Sequence, residues 1–371
     1  MMGHEDITKL DKNFCGENVE YEGLKIINIK DPKSKIKIYG LYKPYEQSRF
    51  KRMNPEATTG LSDNIQRLIY HTSGGRIRFR TNSSRIFLRS ILSKMTDFIH
   101  MPRTGSSCFD LYVDGEYINN FQHGLLQNME QSTEKPENAY DSNITLGDKR
   151  MRDVLIHFPL YNRVENVFIG LDEDAEILES EEYTYTKPIV FYGSSITQGG
   201  CASHPGNAYP NLIARRFDTD ILNMGFSNGC RAEIPMLEYL ANLDMSILVY
   251  DYDHNAETAE FLAETHEAGF QYIRTRRPEL PIIMVSAADR LFCKPERRDI
   301  VKATYEHAIS AGDQNVYFLD GGDIYAPVGR EFCTVDMAHA NDLGFYLMGK
   351  AIGDIIETIL VKDRNFMCET S

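Results

Sequence analysis

The sequence predicts two folding units in series: an antiparallel β-sandwich over residues 1–178, then, over 179–371, an α/β unit with a parallel sheet covered by helices on both faces. Two patterns carry this expectation. From about residue 20 to 170 the apolar residues come in short alternating runs separated by turn residues, the spacing of half-buried antiparallel strands. After Pro188, near-continuous apolar runs alternate with segments of helical period, as when strands buried on both faces are joined by crossover helices. Length agrees, since 371 residues exceed what one hydrophobic core usually spans.

In the first unit the strand candidates are "KIKIYGLY" (35–42), "RIRFR" (76–80), "RIFLRSIL" (85–92), "FDLYVDGEYI" (109–118) and "DVLIHFPLY" (153–161). The basic run 76–80 reads as a strand with a solvated face. The acidic stretch 171–188, ending in Pro188, suits a linker or edge segment. In the second unit the strands are "PIVFYG", "DILNMGF", "MSILVYDY", "PIIMVS" and "NVYFLD". Between and after them lie the helical patterns "NAYPNLIARRF", "EIPMLEYLANL", "ETAEFLAETHEAGFQYIRTRR", "RRDIVKATYEHAI" and "DLGFYLMGKAIGDIIETIL".

Composition narrows the function. A formal net charge of −14 argues against a nucleic acid as main partner, because neutralising phosphates needs clustered Lys and Arg. No run is long enough to cross a bilayer, and the opening "MMGHEDITKLDKNF" lacks the apolar core of a secretory signal, so the expected location is cytoplasmic, away from membranes. Seven scattered cysteines without a Cys-x-x-Cys pair read as free, mostly buried thiols.

Ligands of open parallel sheets sit at the carboxyl ends of the strands, where the loops converge. The predicted ends lead into "GSSITQGG" (193–200), "GFSNGCR" (225–231), "DYDHNA" (251–256) and "TVDMAHAND" (334–342). A serine hydroxyl needs a base for its proton, a group that orients the base, and donors for the oxyanion that forms. Ser195, His339 with Asp336 three residues before it, the N–H groups of the 225–229 turn and the amide of Asn255 match those needs.

These four blocks, in this order across residues 189–361, resemble the SGNH, or GDSL-type, hydrolases. The upstream half resembles the β-rich N-terminal region of one branch, marked by Gly-x-Asp-Leu-Tyr. That motif stands here as "CFDLY" (108–112), with Cys108 in the glycine's place. The resemblance implies a three-layer α/β/α, flavodoxin-like fold behind a jelly-roll-like sandwich. It further implies hydrolysis of esters or thioesters without metal or cofactor, with carbohydrate deacetylation common in the branch. It assigns Ser195 as nucleophile, His339 as general base and then acid, and Asp336 as the orienting carboxylate. Ser195 N–H, an N–H at Asn228 and the Asn255 amide form the implied oxyanion hole. Two positions depart from the family pattern: Ser194 replaces an aspartate, and Asn228 replaces a glycine, with Gly229 one place later. Asn tolerates the left-handed backbone a glycine would supply, and its bulk favours small acyl groups.

Other readings stay open. His254 is a rival base, and Asp251 and Asp253 beside it invite a metal; alternatively His254 lines the pocket while the two carboxylates hold loops. Arg231 and Gly229 are candidate substrate contacts, Arg231 equally a surface ion pair. His266 and His307 fall on helices and read as solvated, and Tyr209 as core. The expected activity is a serine esterase removing small acyl, chiefly acetyl, groups from a small-molecule or oligosaccharide ester. The alternatives are a lipid or thioester hydrolase and a non-catalytic carbohydrate-binding protein with a crippled oxyanion hole.

Overall fold

The computed structural model describes residues 23–93, 97–122, 139–289 and 294–369. The first ten strands are β1 (Leu24–Asn28), β2 (Lys37–Tyr39), β3 (Arg76–Thr81), β4 (Arg85–Leu92), β5 (Phe109–Val113), β6 (Glu116–Phe121), β7 (Ala139–Thr145), β8 (Arg152–His157), β9 (Val164–Asp172) and β10 (Ile177–Leu178). They form two antiparallel sheets, ordered β1-β9-β4-β7 and β10-β3-β8-β5-β6, with β2 paired to β3. Alternating residues such as Ile77 and Phe79 of β3, Ile86 and Leu88 of β4, and Phe109 and Leu111 of β5 fill the core they share.

Two short helices interrupt this unit, α1 (Asp63–Leu68) and α2 (Arg103–Ser106). Ser62 caps α1, its hydroxyl accepting from Ile65 N–H. Ile65 and Leu68 then bury their side chains in the core of the second unit rather than in the sandwich. In the basic run 76–80, Arg78 and Arg80 keep the partly solvated face that was expected, and Arg76 departs from it. Arg76 is fully buried and ion-paired with Asp220, and it donates to the Tyr183 hydroxyl at 2.8 Å and to Gly74 O at 2.7 Å. That end of β3 is covered by the following unit, which supplies the carboxylate a buried guanidinium requires.

The second unit comprises β11 (Tyr185–Gly193), α3 (Ser195–Gln198), α4 (Tyr209–Phe217), β12 (Thr219–Gly225), α5 (Ile234–Asn242), β13 (Ile247–Asp251), α6 (Ala259–Arg276), β14 (Ile282–Val285), α7 (Pro295–Ser310), β15 (Val316–Leu319), α8 (Arg330–Cys333) and α9 (Asp342–Glu369). All five strands are parallel, in the order β12-β11-β13-β14-β15. This is the flavodoxin-like order 2-1-3-4-5. The three layers follow from the period-2 alternation of the central strands. Ile189 and Phe191 of β11 and Ile247 and Val249 of β13 face α4 and α9, packing with Tyr209, Phe345 and Met348. Val190 and Tyr192, Leu248 and Tyr250 face the other way, toward Leu237, Leu262, Phe270 and Val301 of α5, α6 and α7.

His266 of α6 is a second departure: it is buried rather than solvated. Its Nδ1 lies 2.9 Å from Thr304 Oγ1 of α7, and its ring stacks on Tyr252. The reason is geometric, since α7 packs along the flank of α6 on which His266 sits. His307 stays exposed, paired with Glu267. The described cysteines 108, 201, 230 and 333 are buried and form no disulfide among the described residues. Among the described residues no helix is long and apolar enough to cross a membrane.

Candidate active site

The first block shows why a buried strand is followed by glycine and two serines. Gly193 closes β11 where a Cβ would lie 2.1 Å from Thr197 Oγ1 and 2.5 Å from Asp251 O, so only glycine fits. Ser194 caps the four-residue α3, its hydroxyl accepting from Ile196 N–H at 3.1 Å. Ser195 is thereby placed on the first turn of a helix, half-buried, in a position whose backbone N–H has no intrahelical acceptor. Gly199, at φ +103°, ends the helix after one turn.

Far along the chain, the stretch 334–340 folds into a tight loop closed by the Thr334–Ala340 bridge and the Val335 N–H to His339 O bond. Asp336 sits inside it. Its Oδ1 accepts from His339 N–H at 2.8 Å and Ala338 N–H at 3.2 Å, and its Oδ2 lies 2.7 Å from His339 Nδ1. Partial burial works against the ionised carboxylate, but the bonds from His339 and Ala338 outweigh it and hold the pKa down at about 2. With Nδ1 held by the carboxylate, Nε2 of His339 faces Ser195 Oγ at 2.9 Å. The structure thus brings Ser195, His339 and Asp336 into one hydrogen-bonded chain.

The second block forms a turn beside α3. Phe226 N–H bonds to Gly193 O, Ser227 N–H to Gln198 Oε1, and Gly229 N–H to Phe226 O. Asn228 has the left-handed backbone expected of it, φ +50°, and among the described residues its N–H has no acceptor. The Asn228 side chain is exposed, its Oδ1 accepting from Arg231 at 3.0 Å. Arg231 also pairs with Glu257, the surface ion pair that was one of its two readings. Asn255 is drawn to the same turn, its amide donating to Phe226 O at 3.2 Å and to Gly229 O. Gly229 itself packs under Ile65 of α1.

The carboxylates of the third block are occupied by the protein. Asp251 accepts from Tyr209 OH at 2.9 Å and Thr197 Oγ1 at 3.1 Å, and burial raises its pKa to about 7. Asp253 accepts from Ala287 N–H and pairs with Arg297. His254 lines a cleft of about 560 Å³ with Asp253, Glu257, Lys294 and Arg297, and enclosure lowers its pKa to about 4.

Several residues that sequence reasoning passed over hold the Ser195 segment from the sandwich side. Tyr161 donates to Ser195 O at 3.0 Å, and Ser73 to Gln198 O at 2.6 Å. Gln198 bonds Leu160 O and His71 Nδ1. Asn64 of α1 donates to Ser227 O at 2.7 Å. Asp110 of the "CFDLY" motif is fully buried, its two oxygens 2.7 Å from His157 Nδ1 and His204 Nδ1, and it accepts from Gly206 N–H. The motif was the available signal for Asp110; Tyr161 and Ser73 carry none in their local sequence.

A flavodoxin-like sheet with a Ser–His–Asp chain at its carboxyl edge, on a fold with a β-sandwich before it, defines the class: a two-domain carboxylic ester hydrolase. The GDSL-like lipase/acylhydrolase family model matches residues 186–357, and the model for the N-terminus of SGNH-hydrolase-type esterases, the GxDLY region, matches 27–177. The chain belongs to this GDSL-like, SGNH-type esterase family, in the branch that carries the GxDLY domain. No curated protein matched it by sequence. Among solved structures, a GDSL-like lipase from Bacteroides ovatus superposes with a TM-score of 0.77 at 22% identity, covering 91% of this chain and 98% of that one. The salicylyl-acyltransferase SsfX3 of a tetracycline biosynthetic pathway gives 0.69 at 19%, covering 89% and 95%. The acetyl xylan esterase Est2A from the rumen bacterium Butyrivibrio proteoclasticus gives 0.57 at 12%, covering 91% and 98%. At such identities the likeness establishes the shared fold.

Proposed function

We propose that the protein is a serine esterase that removes acetyl groups from carbohydrate esters. The observation that carries the reading is the hydrogen-bonded chain from Ser195 Oγ to His339 Nε2 at 2.9 Å and from His339 Nδ1 to Asp336 at 2.7 Å. In this mechanism Ser195 Oγ attacks the ester carbonyl carbon while its proton passes to His339 Nε2. Asp336, ionised, stabilises the imidazolium and keeps its tautomer. The oxyanion accepts from Ser195 N–H and Asn228 N–H. Asn255, whose amide clamps the turn, adds a third donor by sharing one of its N–H groups. The tetrahedral adduct collapses, the alcohol leaves with the proton from His339, and water, deprotonated by the same imidazole, cleaves the acyl-enzyme.

The exposure of the site bears on substrate size. Ser195 and His339 are only half-buried and Asp336 is exposed, so the chain of groups lies at a shallow rim rather than in a deep tunnel. Such a rim suits a short acyl group projecting from a bulky hydrophilic alcohol, and the polar cleft beside His254 has room for a sugar. That an acetyl xylan esterase shares the fold agrees with this reading.

The test is a panel of acetylated oligosaccharides and p-nitrophenyl esters of rising chain length. Acetyl esters are expected to turn over fastest. Ser195→Ala should lose at least about 10⁴-fold in kcat, and Asp336→Asn about 10³–10⁴-fold. Equal rates for wild type and Ser195→Ala would end the assignment. Faster octanoate than acetate would replace it with the lipid-hydrolase reading, and sugar binding without turnover with the binding-protein reading.

A further inference from the structure

Beside the reacting groups lies a second constellation that ester hydrolysis does not use. His100, from the sandwich segment before α2, Cys201, just past α3, and His339 offer one imidazole nitrogen, one thiol sulfur and another imidazole nitrogen. All three ligand atoms lie within 4.8 Å of one another. The rings of His100 and His339 stand 5.2 Å apart, tilted by 43°. Cys201 is buried, while both histidines are partly open to solvent, which leaves an ion a way in. One thiolate and two imidazoles with a fourth position open is a donor set suited to zinc and its close analogues, and unsuited to calcium or magnesium. Zinc–ligand bonds of about 2.0–2.3 Å require ligand atoms closer together than they now lie, a contraction within reach of side-chain rotation.

We propose that His100, Cys201 and His339 form a binding site for a zinc-class divalent ion whose occupancy switches the hydrolase off. The switch rests on the reading of His339 as the base; the metal site itself does not. A neutral imidazole has one nitrogen lone pair and one N–H. An ion bound at Nε2 takes the lone pair that would receive the Ser195 proton. An ion at Nδ1 displaces Asp336 and leaves the ring's remaining proton on Nε2. In both cases Ser195 loses its acceptor. The Cys201 thiol proton passes to solvent as the sulfur–metal bond forms, no electron is transferred, and a chelator reverses the step. The site draws ligands from both domains, so metal availability would be read at their junction.

The experiment titrates the full chain with Zn²⁺ and, separately, with Co²⁺ as a spectroscopic probe, for wild type, His100→Ala and Cys201→Ala. Wild type should show a thiolate-to-cobalt charge-transfer band and lose activity with Zn²⁺, recovering it with a chelator. His100→Ala and Cys201→Ala should keep basal hydrolysis but need at least about tenfold more Zn²⁺ for the same inhibition, with the cobalt band absent in Cys201→Ala. The partly open position of His100 keeps that variant informative should removal of the buried Cys201 impair folding. Unchanged zinc sensitivity in both variants, or a cobalt spectrum without a thiolate band in wild type, overturns the proposal. If no ester is hydrolysed, the cobalt spectrum still decides the site, so the two readings fail separately.

Discussion

The hydroxyl of Tyr161, a sandwich residue, donates to the backbone carbonyl of Ser195 at 3.0 Å. With Ser73 bonded to Gln198 O, and Gln198 bonded in turn to Leu160 O and Ser227 N–H, the first domain clamps α3 and the second-block turn as one piece. In this arrangement the sandwich is part of what positions Ser195.

Tyr161→Phe tests that clamp. Ser195 O also accepts from Gly199 and Gly200 N–H, so the carbonyl is not orphaned and the loss should be near the ~1 kcal/mol of one hydrogen bond. We expect kcat to fall about three- to tenfold with KM nearly unchanged, and the folded state to lose about 1 kcal/mol. Steady-state kinetics on an acetyl ester check this. An unaltered kcat would mean that Tyr161 only fills space.

Asp110 joins the domains by a different route. Burial opposes its ionisation, but the imidazole of His157 and then that of His204 hold its pKa well below the usual carboxylate range. Three donors converge on its two oxygens, from His157, His204 and Gly206. Asp110→Asn turns one acceptor oxygen into an NH₂ facing those donors, and Asp110→Ala removes both acceptors. Each should destabilise the protein by about 3–5 kcal/mol, the usual consequence of breaking a buried charged network. Urea unfolding of both variants against wild type measures it; a loss under about 1 kcal/mol would show that the domains do not depend on this contact.

What the sequence made legible, and what it hid, divides by the range of the interaction. The strands of the second domain were readable because Ile189 to Tyr192 and Ile247 to Tyr250 are apolar on both faces, a local pattern. The blocks around Ser195, Asn228 and Asn255 were readable because each is a short motif at a strand end, and that around His339 because Asp336 and His339 stand three residues apart just before the last helix. Arg76 and His266 were misjudged because each is covered by an element distant in sequence: the second domain over β3, and α7 over α6. Tyr161, Ser73 and the partners of Asp110 were missed for the same reason, since no periodicity in one strand reveals which loop of another domain will dock on it.

Asp251 lies behind the site without touching its reacting groups, and its titration should shape stability. Burial raises its pKa from 3.8 to about 7, against the pull of hydrogen bonds from Tyr209 and Thr197. Between those values the native state keeps a proton that the unfolded chain has released. Its stabilising contribution is therefore full below about pH 4 and is lost as pH rises toward about 7, on the order of 4 kcal/mol in all. His266 acts in the opposite sense. Burial lowers its pKa from 6.5 to about 4, so its contribution is present above 6.5 and is lost as pH falls. Burial lowers the pKa of His254, His71 and His157 as well, so several histidine slopes run against that of Asp251 and the wild-type curve alone does not isolate it. Asp251→Asn keeps an acceptor for Tyr209 and Thr197 and cannot ionise, so the histidine slopes are common to both proteins and the difference between them reports Asp251. Urea midpoints of wild type and variant across pH 4–7 should diverge steadily, with the variant gaining relative stability toward pH 7; parallel curves would mean that Asp251 is ionised throughout.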